Sequence, residues 1–430
     1  MDKIDISTMV LEALKKSGAD HAACIMSFGT TEEFNAEGGK PTLLRTITDK
    51  VNINMKAFVG SKVGTISISS MDKAQIEKAA AECVESAKYA KDDNAHGMNE
   101  SGEKNFFENN SAPLDMEKLA ARLNELLESI ATDYPTINSR SVALKHKSGY
   151  EVYQNTYGTA ILSPIGHHTF NTMFMASENG GISSFNNTSF AFDAPNAPLM
   201  EMGQLDKRFD MAREQTKAQP FGRKVVGTLV IAPQCLNTMI GHALNAFMND
   251  SSLISNSSRW GKSVGTQVAD KPFTLTSAPL DSRIVTGASF TEEGFVTENT
   301  NIIENGVLKS LLANLYVSNK TGLPHALSTG GSLILEGGDK SLDEIISTIE
   351  NGIIMYRFSG GRPQPSGDFS GIAKNSFIIK NGKIVGAAKE TTISGNLADM
   401  FMNIRGISSE VICDGLSVMP YAVFDGITIR

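Results

Sequence analysis

Residues 225–259 read VVGTLVIAPQCLNTMIGHALNAFMNDSSLISNSSR, and three kinds of local structure follow one another along them. Val225 to Ala232 is an unbroken apolar run of the length of one buried strand. Pro233 closes it and pre-sets φ for a first helical turn, so a helix is expected from Gln234 onward. Leu236, Met239, Ile240, Leu244 and Phe247 then recur at spacings of three and four, which gives that helix one apolar stripe. Asn249-Asp250 ends it, and a serine-rich loop runs to Arg259 and the single tryptophan, Trp260. A strand, a helix with a central histidine and a polar loop are the parts of an active site. Yet no acid, second histidine or cysteine stands at ligand spacing from His242 on the helix. The stretch reads as a site without its reactive residues.

Toward the C-terminus the pattern changes to hairpins. Ile302 to Leu308 and Phe377 to Val385 each carry Asn-Gly between apolar runs, the signature of a type I′ turn. Between them Leu342 to Glu350 reads as a short helix and Gly352 to Phe358 as a strand. A Gly/Pro-rich loop is expected over Ser359 to Gly371, and a last helix from Ser394-Gly395-Asn396 to about Arg405. Strands in succession joined by tight turns give an α+β chain with antiparallel pairing, not a doubly wound parallel sheet.

Toward the N-terminus, Asp5-Ile6-Ser7 caps a helix lined by Met9, Val10, Ala13 and Leu14, which ends at Gly18. Strands are expected at Ala22–Ser27, at Val51–Val59 with strict alternation, and at Val63–Ser69 beyond a Gly60 turn. Met71 to Ala90 is an alanine-rich helix, Lys91 to Pro113 a polar loop, and Leu114 to Thr132 a further helix. Ile137 to about Asp193 is β-rich and contains His167-His168. Neighbours in a strand point to opposite faces, so this pair does not chelate one metal and its role is structural. Ala194 to Pro198 is a candidate connection, and a helix from Leu205 to Gln219 leads into the quoted stretch. The expected organisation is an N-terminal α+β domain over residues 1–205 and a C-terminal antiparallel-β domain over 206–430, with the boundary between about Asn187 and Arg223.

Composition fits an ordinary globular protein: 430 residues, 41% hydrophobic, 20% charged, net charge −8. A chain of that length exceeds one hydrophobic core. Without a concentrated Lys/Arg face, direct nucleic-acid binding is not expected. Cys24, Cys83, Cys235 and Cys413 form no CxxC pair, so neither a disulfide framework nor a zinc ribbon is expected. The first residues carry no apolar targeting segment and no run reaches membrane-span length, so a cytoplasmic location with no membrane contact is expected. Gly261-Lys262-Ser263-Val264-Gly265 matches G-x-S-x-G but follows a polar loop instead of a buried strand. As a P-loop end it fails because Asn256 stands where the first glycine is needed.

Three C-terminal blocks are Glu292-Glu293-Gly294 with Ile303 to Leu308, then Ser366-Gly367-Asp368-Phe369-Ser370-Gly371, then Thr392 to Leu397. In order and spacing they resemble the TldD/PmbA family, long labelled modulators of DNA gyrase and associated with a metalloprotease. In TldD-like members of that family the resemblance implies H-E-x-x-x-H on the helix after the strand, with a C-terminal cysteine completing a zinc site. Here the motif becomes Asn237-Thr238-Met239-Ile240-Gly241-His242, with Cys413 near the family's cysteine position. An amide is a poor zinc ligand beside imidazole or thiolate, and threonine cannot take a proton as glutamate does.

The resemblance therefore implies a PmbA/TldE-like chain whose degenerate site comprises Asn237, Thr238, His242 and Cys413. No catalytic or metal-binding residue, and no cofactor of its own, is expected, with zinc only in a TldD-like protease subunit as partner. The implied function is that of a structural and substrate-binding subunit acting on peptides or unfolded proteins, as a homodimer or heterodimer. Gly367, Asp368, Phe369 and Ser370 are candidates for a peptide-contacting or cavity loop. Two rival readings follow from the same resemblance: a metallopeptidase in its own right with an altered metal site, and a regulator of DNA gyrase through protein contacts. The Gly360 to Pro365 loop departs from the family by its two prolines and Arg362.

Overall fold

The computed structural model describes residues 3–109 and 113–430. Met1, Asp2 and residues 110–112 of the polar stretch lie outside the described residues. The strands fall into two sheets.

The first sheet begins after helix α1 (Lys3–Lys16), whose first turn contains Asp5. Strands β1 (His21–Glu37), β2 (Lys40–Val59) and β3 (Lys62–Ile68) form an antiparallel meander. β1 runs well past the expected Ser27, because a register shift near Gly29 lets its second half pair with Lys40–Ile47. Helix α2 (Lys73–Tyr89), capped by the Asp72 carboxylate on the Gln75 amide, packs Ile76, Ala80, Cys83 and Ala87 against the sheet. Within the expected polar loop, β4 (Lys104–Phe106) adds a short parallel strand. Helix α3 (Met116–Asp133) is followed by the long hairpin β5 (Ile137–Asn155) and β6 (Ala160–Glu178), with β7 (Gly181–Ile182) and β8 (Asn186–Phe192) on the edge of β6. Two helices, α4 (Leu199–Met202) and α5 (Leu205–Gln215), then pass toward the second sheet.

The second sheet opens with β9 (Val225–Ile231) and the helix α6 (Pro233–Met248) of the quoted stretch, followed by α7 (Asp250–Ile254) within the expected serine-rich loop. Small elements succeed one another: β10 (Leu275–Ser277), the Asn-Gly hairpin β11 (Thr300–Glu304) and β12 (Val307–Leu308), α8 (Leu315–Thr321), β13 (Leu333–Leu335) and α9 (Leu342–Ile346). The long strands β14 (Asn351–Gly360), β15 (Asp368–Lys380), β16 (Lys383–Ala388) and β17 (Thr391–Asn396) come next. Helix α10 (Leu397–Phe401), β18 (Ile404–Cys413) and β19 (Val418–Ile429) complete the chain.

β19 pairs with β17 on one side and with β9 on the other, so β9, β14, β15, β17 and β19 close a ring. Closure explains why the run from Val225 is apolar throughout. Leu229 and Ile231 meet α6, whereas Val230 on the opposite face meets Ile345, Ile346 and Ile349 around α9. A strand buried on both faces cannot alternate apolar with polar.

The α+β class and the antiparallel hairpins are as expected, with three corrections. β9 and β14 pair in parallel over Thr228–Ile231 and Gly352–Met355, because the chain returns to β14 only after a long excursion. The expected loop over Ser359–Gly371 shrinks to residues 361–367, since β14 and β15 continue pairing as far as Gly360 and Gly371. The expected helix to Arg405 stops at Phe401, where the Met402 amide reaches back to close its last turn. Among the described residues, no helix is long and apolar enough to cross a membrane.

Candidate functional site

Helix α6 carries three of the four expected site residues. Asn237 and His242 are half-buried, and Thr238 faces outward with its hydroxyl donating to the Gln234 carbonyl at 3.2 Å. That back-bond is the habitual use of a threonine within a helix. His242 has no hydrogen-bond partner among the described residues. Burial and the Arg362 guanidinium both push its pKa below the usual imidazole value. Arg362 belongs to the 361–367 turn, the segment that departs from the family pattern, so that departure places a cation at the degenerate site.

Cys413 ends β18, exposed, with its thiol donating to the Arg283 carbonyl at 3.4 Å. It lines a cleft of ≈ 140 Å³ with Pro233 and Gln234, at the N-terminal end of α6. Eight residues of helix separate Gln234 from His242, a rise of about 12 Å. Among the described residues, no three His, Cys, Asp or Glu side chains gather closely enough to hold a metal. Zinc needs three such donors and an oriented second shell. Asn237, His242 and Cys413 supply neither, and the nearby guanidinium repels a dication. The residues present do not fit a zinc ion.

The other expected blocks are tied together by hydrogen bonds. Asp368 and Asn396 face each other where β15 and β17 pair, so Ser366–Gly371 and Thr392–Leu397 form one unit. The Asn396 amide donates to Asp368 Oδ1 at 2.9 Å and to the Ser366 carbonyl at 3.0 Å, while its oxygen accepts from the first amides of α10. Ser366 Oγ donates to Asp368 Oδ2 at 2.8 Å. These two donors, Asn396 first, hold the Asp368 carboxyl below its ordinary pKa. Gly367 is buried at φ +96°, and a side chain there would press on the Phe247 ring of α6. Phe369 is 5% exposed and packs in the core. Of the four loop candidates, only Asp368 and Ser370 reach solvent, and Asp368 with Phe369 edges a cleft of ≈ 450 Å³.

Glu292-Glu293-Gly294 docks the two sheets together. Asn99 donates through its side chain to the Gly294 carbonyl at 2.8 Å and through its backbone to the Glu293 carbonyl at 2.8 Å. Gly294, at φ +84°, lies against the Tyr153 ring, where any side chain would overlap it.

Sequence reasoning missed a group of polar residues around Thr238. A cavity of ≈ 170 Å³ is lined by Thr238, Gln234, Arg208, Arg357, Tyr356 and Asn375, among others. One signal was available: Arg357 interrupts the apolar run Ile353-Ile354-Met355-Tyr356-Arg357-Phe358, where a sheet buried on both faces has no use for a charge.

The family model described as "PmbA/TldA metallopeptidase C-terminal domain" matches residues 225–430, from β9 to the last residue. Its C-terminal domain belongs to the PmbA/TldD family. It is 23% identical over 385 residues to the metalloprotease PmbA homolog of Haemophilus influenzae, covering 84% of this chain and 81% of that protein. To the metalloprotease PmbA of Escherichia coli O157:H7 it is 24% identical over 306 residues, 70% of this chain and 66% of that one. The crystal structure of TldE from Thermococcus kodakarensis superposes with a TM-score of 0.82 at 16% identity, covering 99% of this chain and all (100%) of that one. The PmbA/TldD likeness thus extends over both sheets, and the domain matched by the family model contains α6 and Cys413.

Proposed function

We propose that this chain is the non-catalytic subunit of a cytoplasmic, two-subunit metalloprotease of the TldD/TldE type, supporting and presenting peptides or unfolded polypeptide to a zinc-bearing partner. The observation that carries the reading is Asn237-Thr238 on α6, with His242 facing a guanidinium and Cys413 at the other end of the helix. This arrangement offers neither three metal ligands nor a carboxylate to activate water. The fold remains complete around the altered positions, as a supporting subunit requires. Extended substrate would be held by backbone pairing along exposed strand edges, a mode that reads length and conformation more than sequence.

The test is hydrolysis of an unstructured peptide by the chain alone, by a TldD-type subunit alone, and by the two combined, each with and without a chelator. Chelator-sensitive turnover is expected only where the TldD-type subunit is present, with the mixture the more active. Chelator-sensitive turnover by this chain alone, abolished by His242→Ala, would overturn the reading.

A further inference from the structure

Two small cavities, of ≈ 140 and ≈ 170 Å³, lie on either side of the first turn of α6 and share Arg208, Met211, Gln234 and Tyr356 in their walls. Arg208, on α5, makes no ion pair and no side-chain hydrogen bond among the described residues. Burial pushes its pKa below the ordinary guanidinium value. Arg357, on β14, has its Nε buried without a partner, and across the strand pair the Asn375 side-chain oxygen is equally orphaned. A buried guanidinium nitrogen without a hydrogen-bond partner is destabilising, and Arg208 and Arg357 both line the ≈ 170 Å³ cavity.

The anions already nearby are engaged elsewhere. Asp414, which lines the first cavity and acts on Arg208, accepts from the amides of Leu416 and Ser417. Glu390, which acts on Arg357, is paired with Lys374 at 2.6 Å. Burial pushes the Cys235 thiol up to about 12, so it is neutral and no rival. Burial likewise raises Tyr356, which leaves its hydroxyl protonated. Lys207 stands at the mouth of the first cavity. The first turn of α6 has Pro233 at its start and no side-chain cap, so its positive end is open toward the same space.

We propose that the ≈ 170 Å³ cavity, with the neighbouring one whose walls it shares, binds a carboxylate, carried by a small organic acid or by the C-terminal residue of a peptide. A guanidinium presents a planar fork that matches a carboxylate. Each cavity falls short of the ~300 Å³ at which drug-sized ligands begin, which suits one residue or a short acid. Phe174, Met211 and Phe358 supply apolar walls for its carbon atoms. The site consists of this chain's own groups, so it goes beyond the subunit reading and does not depend on any partner being present. Thr238 belongs to its lining, so the position where the family's catalytic members carry the base here borders an anion pocket.

The experiment is calorimetric titration of the full chain with four probes: N-acetyl-alanyl-alanine, its C-terminal amide, glutarate and inorganic phosphate. Saturable binding of the peptide acid or of glutarate is expected, with the amide weaker by about tenfold or more, as loss of a charged hydrogen bond dictates. Arg208→Gln and Arg357→Gln should each weaken binding by about tenfold or more without lowering the thermal midpoint of the unliganded chain. Response to the peptide acid alone identifies a peptide C-terminus, and response to glutarate alone a free acid. If a glutamine variant fails to fold, Arg208→Lys and Arg357→Lys replace it, keeping charge but not the fork, with the same weakening expected. Equal binding of acid and amide, unchanged binding in the variants, preference for phosphate, or no binding of either acid at millimolar concentration would overturn the proposal.

Discussion

Thr238 and its neighbours show what single substitutions remove. A histidine and glutamate at 237 and 238 would give α6 a ligand and a base, whereas asparagine and threonine give a poor donor and a hydroxyl returned to its own helix. The purified chain is therefore expected to carry well under one zinc per molecule by elemental analysis. Stoichiometric zinc that disappears in His242→Ala would contradict this. A second residue-scale expectation concerns Gly367, whose φ of +96° and contact with Phe247 tie the β15–β17 unit to α6. Gly367→Ala adds both backbone strain and overlap, and should cost about 1–3 kcal/mol in urea denaturation. The missing ligands were legible in the sequence because a motif is local. The arginines around Thr238 were not, because Arg208, Arg357 and Asn375 come from three separate elements and only their meeting leaves the Arg357 Nε and the Asn375 side-chain oxygen buried without partners.

Among the elements, the β5–β6 hairpin contains a titration that the sequence did not suggest. His146 and His168 are directly opposed, 2% and 0% exposed, with His146 Nδ1 at 3.1 Å from His168 Nε2. His168 Nδ1 lies 3.0 Å from the Asp193 carbonyl, so it must donate there. That leaves Nε2 as the acceptor and assigns the shared proton to His146 Nδ1. Burial, then the partner imidazole, pushes His146 down to about 4, and burial lowers His168 as well. Folded values below the unfolded ~6.5 mean that the unfolded chain binds more protons between the two. The stabilisation from keeping the pair neutral is complete above about pH 6.5 and falls away as pH drops toward 4. Urea denaturation from pH 7.5 to 4.5 should show a loss of about 1–3 kcal/mol that is smaller in His146→Gln. An identical pH slope in the variant would remove the pair as its source. Read along the chain, His167-His168 has only a structural role and His146 goes unmarked, because its partner lies across the hairpin. Turn chemistry made the Asn-Gly hairpins legible. β17, β18 and β19 were not, since their short apolar stretches acquire strand character only by pairing within the ring.

In the whole molecule, the two sheets are joined by buried polar contacts, and this bears on how the chain unfolds. Asn99 is 8% exposed and donates to the Gly294 carbonyl, while its own carbonyl accepts from Asn155 at 2.6 Å and Thr159 at 3.1 Å. Nearby, Asp93 pairs with Lys320 at 2.9 Å and accepts from the Tyr316 hydroxyl at 2.8 Å. Asp93 and Asn99 thus bind groups about 200 residues further along the chain, so neither sheet can leave its place without exposing orphaned donors and acceptors of the other. Trp260, the single tryptophan, is buried at 3% in the core around α6 and reports on the second sheet alone. Its fluorescence and the far-ultraviolet circular dichroism, which sums over both sheets, should therefore follow the same urea transition. Asn99→Ala removes a contact of the first sheet yet leaves the Gly294 carbonyl without its donor. It should lower the Trp260 transition by about 1–3 kcal/mol at unchanged slope. A fluorescence transition indifferent to Asn99→Ala, or one well separated from the dichroism, would mean that the two sheets unfold independently.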